Sequence, residues 1–387
     1  MTRPFLLLLT IASGMSVANV YYAQPLLDAL AAEFSISHGA VGGIITATQA
    51  GSALALLCLV PLGDMYSRRT LLRAQLIALI GTLLLLAAAP TMSALLAGML
   101  LTGLLGTAMT QSIIAYAAHI APPDKRGGIV GTVQGGVVTG LLLARVVSGF
   151  VADLAGWRSV YLMSAALMGM LAIILWRLLP VTSKPAASLR YTALLHSMYL
   201  LLRHDRTLQI RGTLALLIFA VFSMFWSAIV LPLHAEPYYF SYTTIGALGL
   251  IGVAGALAAS PTGRLADKGY AEQATGTAFA ILALSWTILW WMQSAILLLV
   301  LGIVLLDVAV QTIHVLNQSL IFNTKSDNHS RLVSCYMLFY AVGSGLGAIV
   351  STSLYARYGW SGVCIAGAVI SVIGLIFWQR TRGDVAS

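Results

Sequence analysis

The chain has 387 residues, 59% hydrophobic and 9% charged, where soluble domains average roughly 45–50% apolar and about 25% charged. At a mean hydropathy of +0.91, no soluble core hides that much apolar surface, so the composition excludes a soluble enzyme or binding domain and points to an integral membrane protein. The net charge of +9 raises nucleic acid as a partner, and the placement of the cations along the chain excludes it.

A membrane helix needs about 20 mostly apolar residues, and the sequence holds twelve such runs. They are long and continuous rather than alternating, which favours helices over a barrel. The first, 5–29, starts like a signal peptide, but its apolar sequence runs on to Leu27 without a small-x-small site, so it is read as a retained helix. It carries Asn19, Tyr22 and Gln24, and Asn19 and Tyr22 share a face. The second run, 40–62, carries Gln49 and ends in the charged break LVPLGDMYSRRTLL (59–72). The third is 71–90, and the fourth, 93–119, has Thr107 and Gln111 on one stripe. The fifth, 129–153, contains GLLLARVVSG (140–149) with Arg145, and Gln134 on nearly the same face. The sixth is 159–179.

A basic linker, 181–210, follows, in which Tyr191, Leu194, Leu195 and Met198 share an apolar stripe. That pattern predicts an interfacial helix. The seventh run, 212–234, offers Trp226 with Ser223 and Ser227; for the tryptophan, packing and binding are both open. The eighth, 243–262, ends in a second charged break, SPTGRLADKGY (260–270), and the ninth is 272–292. The tenth, 295–319, carries Asp307, Gln311, His314 and Gln318 at spacings of four, three and four, which keeps them on one helical face. Tyr336 and Tyr340 lie i, i+4 on the eleventh, 332–355, and the twelfth is 360–379.

With the N-terminus cytoplasmic, eighteen of the lysines and arginines fall on the cytoplasmic side and only Arg158 and Arg357 on the other. The positive charge is therefore a topology signal, for a multi-pass protein of a cell inner (plasma) membrane with both termini cytoplasmic. Cys58, Cys335 and Cys364 sit in apolar runs without metal-ligand spacing, so neither a disulfide framework nor a metal site is expected.

A repeat organises the chain. Asp64 and Asp267 are 203 residues apart, and the same offset links Leu62 to Leu265, Asp124 to Asp327, Gly140 to Gly343, Ser148 to Ser351, and Gly156-Trp157 to Gly359-Trp360. The predicted fold is all-α, with twelve transmembrane helices in two pseudo-symmetric six-helix bundles, residues 1–180 and 211–387, joined by the linker 181–210. Two parallel halves are one of the known plans of secondary transporters.

At these residues the sequence resembles the major facilitator superfamily. That family's signature, G-x-L-A-D-R-x-G-R-R/K between helices two and three, is matched by Leu62, Gly63, Asp64, Arg68 and Arg69, with Val60, Met65 and Ser67 departing from it. A second copy between helices eight and nine is kept as Gly263, Leu265, Ala266, Asp267, Lys268 and Gly269. The resemblance implies a cytoplasmic latch made and broken as the halves move; the plainer alternative is that Arg68 and Arg69 only fix topology. Gly140 and Gly149 fit the glycine-rich fifth helix of proton-coupled drug and sugar exporters, whereas Ala144 and Arg145 replace its usual Gly-Pro, and Met99 stands where an arginine is expected.

Two fully charged residues, Arg145 and Asp307, fall well inside the spans. Each costs roughly 2.5–3.5 kcal/mol at mid-helix, so each faces protein or water and is a functional candidate. The Asp307 stripe is read as a cavity wall that handles substrate and protons, with an internal hydrogen-bonded network as the alternative. Asp and His together carry protons near neutral pH. Gln111 is the repeat counterpart of His314. Three roles stand open for Arg145: binding a substrate anion, pairing with Asp307 across the cavity, or closing a network within the first half.

No P-loop, GxSxG, HExxH or CxxC motif stands out. The expectation is a transporter without cofactor and not an enzyme, exporting a small-molecule substrate against protons by alternating access as a monomer. Uptake by proton symport or uniport is the nearer alternative, and a non-transporting membrane enzyme or sensor the remote one.

Overall fold

Lipid offers no hydrogen bonds, so a chain this apolar closes its backbone bonds within helices. The computed structural model describes residues 2–122, 125–180, 190–322 and 329–383, without the side chains of Asp64, Ser260, Phe322, His329 and Ser330. The helices are α1 (Arg3–Tyr21), α2 (Leu27–Glu33), α3 (Gly42–Leu54), α4 (Arg68–Ala87), α5 (Met92–Ile120), α6 (Arg126–Ala155), α7 (Trp157–Leu178), α8 (Tyr191–His204), α9 (Arg206–Ala228), α10 (Val230–His234), α11 (Tyr242–Ala247), α12 (Val253–Asp267), α13 (Ala271–Trp290), α14 (Ile296–Phe322) and α15 (His329–Thr381).

Among the described residues, eleven helical stretches are long and apolar enough to cross a membrane, the last being Arg331–Thr381 with 51 residues. At about 1.5 Å per residue that stretch is more than twice a hydrocarbon core of about 30 Å. It is broken at Gly359, whose φ of 62° is not helical, so it makes two crossings and the chain has the twelve expected. The equivalent turn between α6 and α7 is made at Gly156, with φ 80°. Both positions need the left-handed region that glycine alone enters freely, and they stand 203 residues apart.

Proline shapes two other spans. Pro25 has no N–H to give the carbonyl of Tyr21, so α1 stops there and a 3-10 turn, Gln24–Leu26, follows. In the second span, α3 loosens into a π turn, Ala55–Leu59, and then a 3-10 turn, Val60–Asp64, around Pro61.

The chain forms two compact units. One contains Met1–Leu30, Ala47–His196 and Phe240–Gly246; the other contains Ala31–Thr46, Ser197–Tyr239 and Ala247–Ser387. In the first unit, α1 and α6 approach so closely that a Cβ on Gly140 would overlap the Gly14 backbone, and one on Gly136 would overlap Thr10. In the second, Gly343 and Gly347 of α15 lie against the carbonyls of Leu216 and Ala220 of α9 in the same way. Small residues allow this approach where water supplies no hydrophobic drive between helices.

The linker helix α8 buries Leu194 and Met198 and exposes Tyr199, Leu200, Arg203 and His204, the amphipathic division its sequence predicts. Its Tyr191 hydroxyl donates to the Cys58 carbonyl (3.1 Å) in the first unit. In the second, its Met198 carbonyl faces the Cys335 thiol (3.8 Å).

Candidate transport site

In the first unit the candidate residues meet where α1 breaks. Arg145 is 2% exposed on α6, and its Nε donates to Gln24 Oε1 (2.7 Å). Its guanidinium also lies 5.7 Å from the centroid of the Tyr21 ring. The 3-10 turn forced by Pro25 is what brings Gln24 to this cation. Of the three roles open to Arg145, the network within the first half thus has a named partner, Gln24.

Asn19, also buried, donates from Nδ2 to the Met15 carbonyl (2.8 Å) and accepts from Ser164 Oγ of α7 (2.7 Å). Tyr22 is buried nearby in sequence. Gln49 of α3 is 2% exposed, and its Oε1 has no hydrogen-bond partner among the described residues. Two turns of α5 are tied to α3 through Ser52 Oγ, which accepts from Thr107 Oγ1 (2.9 Å) and donates to the Gly103 carbonyl (3.4 Å); Gln111, one turn beyond Thr107, is half-buried. Gln134, Gly135 and Thr139 of α6 are exposed. Polar positions bare of protein on a membrane helix are tolerated where they line water.

In the second unit α9, α14 and α15 converge on His314. Its Nδ1 is 2.9 Å from the Tyr336 hydroxyl, and the two rings are nearly parallel, 26° apart with centroids at 5.6 Å. Phe219 of α9 meets His314 edge-on at 5.1 Å and Tyr340 at 4.1 Å. His314, Gln311 and Tyr340 are half-buried, while Asp307, two turns away on the same helix, is buried. Gly255 of α12 lies against the Asp307 backbone, where a Cβ would stand 2.8 Å from its carbonyl oxygen. Trp226 is buried with its ring edge-on to Phe225 (5.1 Å), so its surroundings are those of a packed core residue.

A second buried cation escaped the sequence reading. Arg211, counted there with the cytoplasmic charges, is fully buried in the second turn of α9 and pairs with Glu272 in the first turn of α13. Glu272 also accepts from Trp378 Nε1 (2.8 Å), and the Arg211 carbonyl accepts from Asn317 Nδ2 (3.4 Å). Glu272 at the start of a span was the available signal: an acid on the cation-rich side asks for a partner.

At the two charged breaks, Arg68 and Arg69 are not loop residues but the first residues of α4, whose N-terminus is capped by Ser67 Oγ accepting from Thr70 N (3.3 Å). Both are half-buried, and the Asp64 side chain lies outside the described residues. In the second copy Gly263 ends in open space, and Asp267 and Lys268 are exposed where α12 stops. Asp124 and Asp327 of the repeat are likewise outside the described residues. No group of three or more His, Cys, Asp or Glu residues stands together as a metal site among the described residues.

The family model of the Major Facilitator Superfamily matches residues 6–304 and 212–386. The chain is 41% identical over 387 residues to the putative uncharacterized transporter YgaY of Escherichia coli (strain K12), covering 98% of each. It is 27% identical to the multidrug resistance protein MdtG of Klebsiella pneumoniae (strain 342), over 72% of this chain and 68% of that one. Its fold matches the crystal structure of a bacterial homologue of the human lysosomal transporter Spinster, inward-facing and occupied, with a TM-score of 0.81 over 99% of this chain and 98% of that one, at 14% identity. Family match, relatives and twelve-crossing fold agree: this multi-pass membrane protein, a transporter of small molecules and not an enzyme, belongs to the major facilitator superfamily.

Proposed function

We propose that the chain is a proton-coupled exporter of a small organic solute that works by alternating access, with residues 1–180 and 211–387 as the moving halves and both termini in the cytoplasm. The observation that carries this reading is the α14 face. Asp307 is buried in an apolar span, and His314 on the same face hydrogen-bonds Tyr336 beside an aromatic wall. A carboxyl and an imidazole two turns apart on one helix face are the residue types from which proton paths through a membrane are built. The likeness to the multidrug resistance protein MdtG supports export of a drug-like solute, and the rings around His314 favour one with an aromatic part. Phe219, Tyr340 and His314 suit such a ring.

The same reading makes Asp64, Arg68 and Arg69, with Gly263, Asp267 and Lys268, the cytoplasmic gate. A ligand-dependent melting screen on the purified protein identifies a solute, whose flux is then followed in inverted and right-side-out vesicles under an imposed pH gradient. Export predicts uptake into inverted vesicles that are acid inside, and loss of that gradient dependence in Asp307→Asn with solute binding retained. Accumulation only in right-side-out vesicles would assign proton symport instead. Unchanged gradient dependence in Asp307→Asn would remove Asp307 as the coupling group.

A further inference from the structure

Asp153 is the last acid of α6, two turns beyond Arg145, and its carboxylate does not serve its own helix. Oδ1 accepts from the backbone N–H of Tyr242 (3.1 Å), and Oδ2 accepts from the N–H of Thr243 (2.7 Å) and from its hydroxyl (2.6 Å). These are the first amides of α11, and a helix start leaves such amides without intrahelical partners. Ser241 caps only the next one, its Oγ accepting from Thr244 N (3.2 Å). The N-terminus of α11 is thus completed by a charge from a helix 89 residues earlier in the chain.

The rest of the α6 face is cut to fit. Arg145, Gly149 and Asp153 follow one another at i, i+4 and i+8. Gly149 lies against the backbone of Tyr242 and Thr243, and Gly246 lies against the carbonyl of Arg145, both without room for a Cβ. All of these residues belong to the same compact unit. The second unit repeats the seam without charge. Thr352, the repeat counterpart of Gly149, accepts from Gly42 N (3.2 Å) and donates to the Gly39 carbonyl (3.2 Å), and Gly42 lies against the carbonyl of Ala348, the counterpart of Arg145.

We propose that Asp153 is a positioning residue for the transport cycle: by capping α11 from α6 it holds the first turns of the eighth span, residues 242–246 of the same unit, onto the helix that carries Arg145, and it lets go when the site opens on the side of Gly156. The seam stands on geometry; its role in the cycle rests on the transporter reading above. Glycine and carboxylate divide the work. The bare faces of Gly149 and Gly246 let the helices touch, and the carboxylate makes the touch conditional, because removing an anion from a helix N-terminus loses both its hydrogen bonds and its attraction to the dipole.

The test is hydrogen–deuterium exchange on the purified full chain, with no solute needed. In Asp153→Ala, amides of the 242–244 segment should exchange about tenfold faster, the size expected for a lost charged cap, while α13 stays unchanged. Asp153→Glu should recover part of the protection. Thr243→Val, which removes only the hydroxyl contact, should leave the Tyr242 amide near the wild-type rate. Equal exchange in the wild type and Asp153→Ala would overturn the cap.

The cycle role is read separately, in right-side-out vesicles of a variant with Cys58, Cys335 and Cys364 replaced by serine and carrying Asn19→Cys. A membrane-impermeant maleimide should label that cysteine faster when Asp153→Ala is added, and an unchanged rate would overturn the gating role. Failure of every flux assay would count against the transporter reading and leave the exchange result as it stands.

Discussion

The third span of each half meets the end of the sixth in both units, and the two joints use opposite chemistry. In the first unit the cation Arg73 of α4 lies over Trp176 of α7, 4.3 Å from the ring centroid. In the second, the anion Glu272 of α13 accepts from the indole of Trp378 and neutralises Arg211. Gly276, the repeat counterpart of Arg73, lies directly under the Trp378 ring. A tryptophan at the end of the sixth helix is common to both, while the charge that meets it is not. Duplication has kept the shape of the joint, because helix approach tolerates little change in volume. It has not kept the polar partners, which need only satisfy one another locally.

The sharpest way to break this comparison is to unbalance the buried pair. Glu272→Gln leaves a fully buried guanidinium facing a neutral amide, and removing one partner of such a pair costs about 3–5 kcal/mol. Thermal unfolding in detergent should fall steeply for Glu272→Gln, while the double change Arg211→Met, Glu272→Met recovers most of the loss. If Glu272→Gln melts with the wild type, the pair is hydrated and the joint is not held by charge.

Next in size come the glycines that both units share. Gly140→Leu and Gly343→Leu each force a side chain into a helix contact with no space for a Cβ, and overpacking of this kind costs about 1–3 kcal/mol. Similar losses are expected in the two halves, since the contact is the same. Gly131→Leu is the control, because nothing lies within 4 Å of its Cβ position. A loss in one half only would show that the repeat in sequence is not a repeat in packing.

These glycines also mark how far the sequence could be read. The spans, the turns at Gly156 and Gly359, and the Asp307–His314 face were legible because helical period, apolar length and the 203-residue offset are local or repeated signals. Arg211 was not. In RHDRTLQIRG (203–212) it reads as one more linker cation, and its burial depends on a carboxylate 61 residues later. The Arg145–Gln24 and Asn19–Ser164 bonds span 121 and 145 residues. Composition and period say that such groups need partners, but only the packed helices say which. Asp153 was passed over for the same reason, since an acid at a span end reads as topology until the amides it caps are in view.

The smallest expected effect explains why the two joints diverged. The carbonyl of Trp176 sits four residues before Pro180, which has no N–H to offer it. Arg73 Nη2 supplies the missing donor at 2.5 Å, a cation placed at a helix C-terminus where the dipole favours it. In the second unit the carbonyl of Trp378 is already taken by the N–H of Arg382 (2.9 Å), so no side chain is required there and a glycine suffices at position 276. Arg73→Met should therefore loosen only the last turn of α7, seen as faster amide exchange near 176–179 with little change in melting temperature. Pro180→Ala restores a backbone donor and should make the same Arg73→Met change nearly silent. Equal effects of Arg73→Met with and without Pro180 would mean that the arginine is held by the tryptophan ring rather than by the orphaned carbonyl.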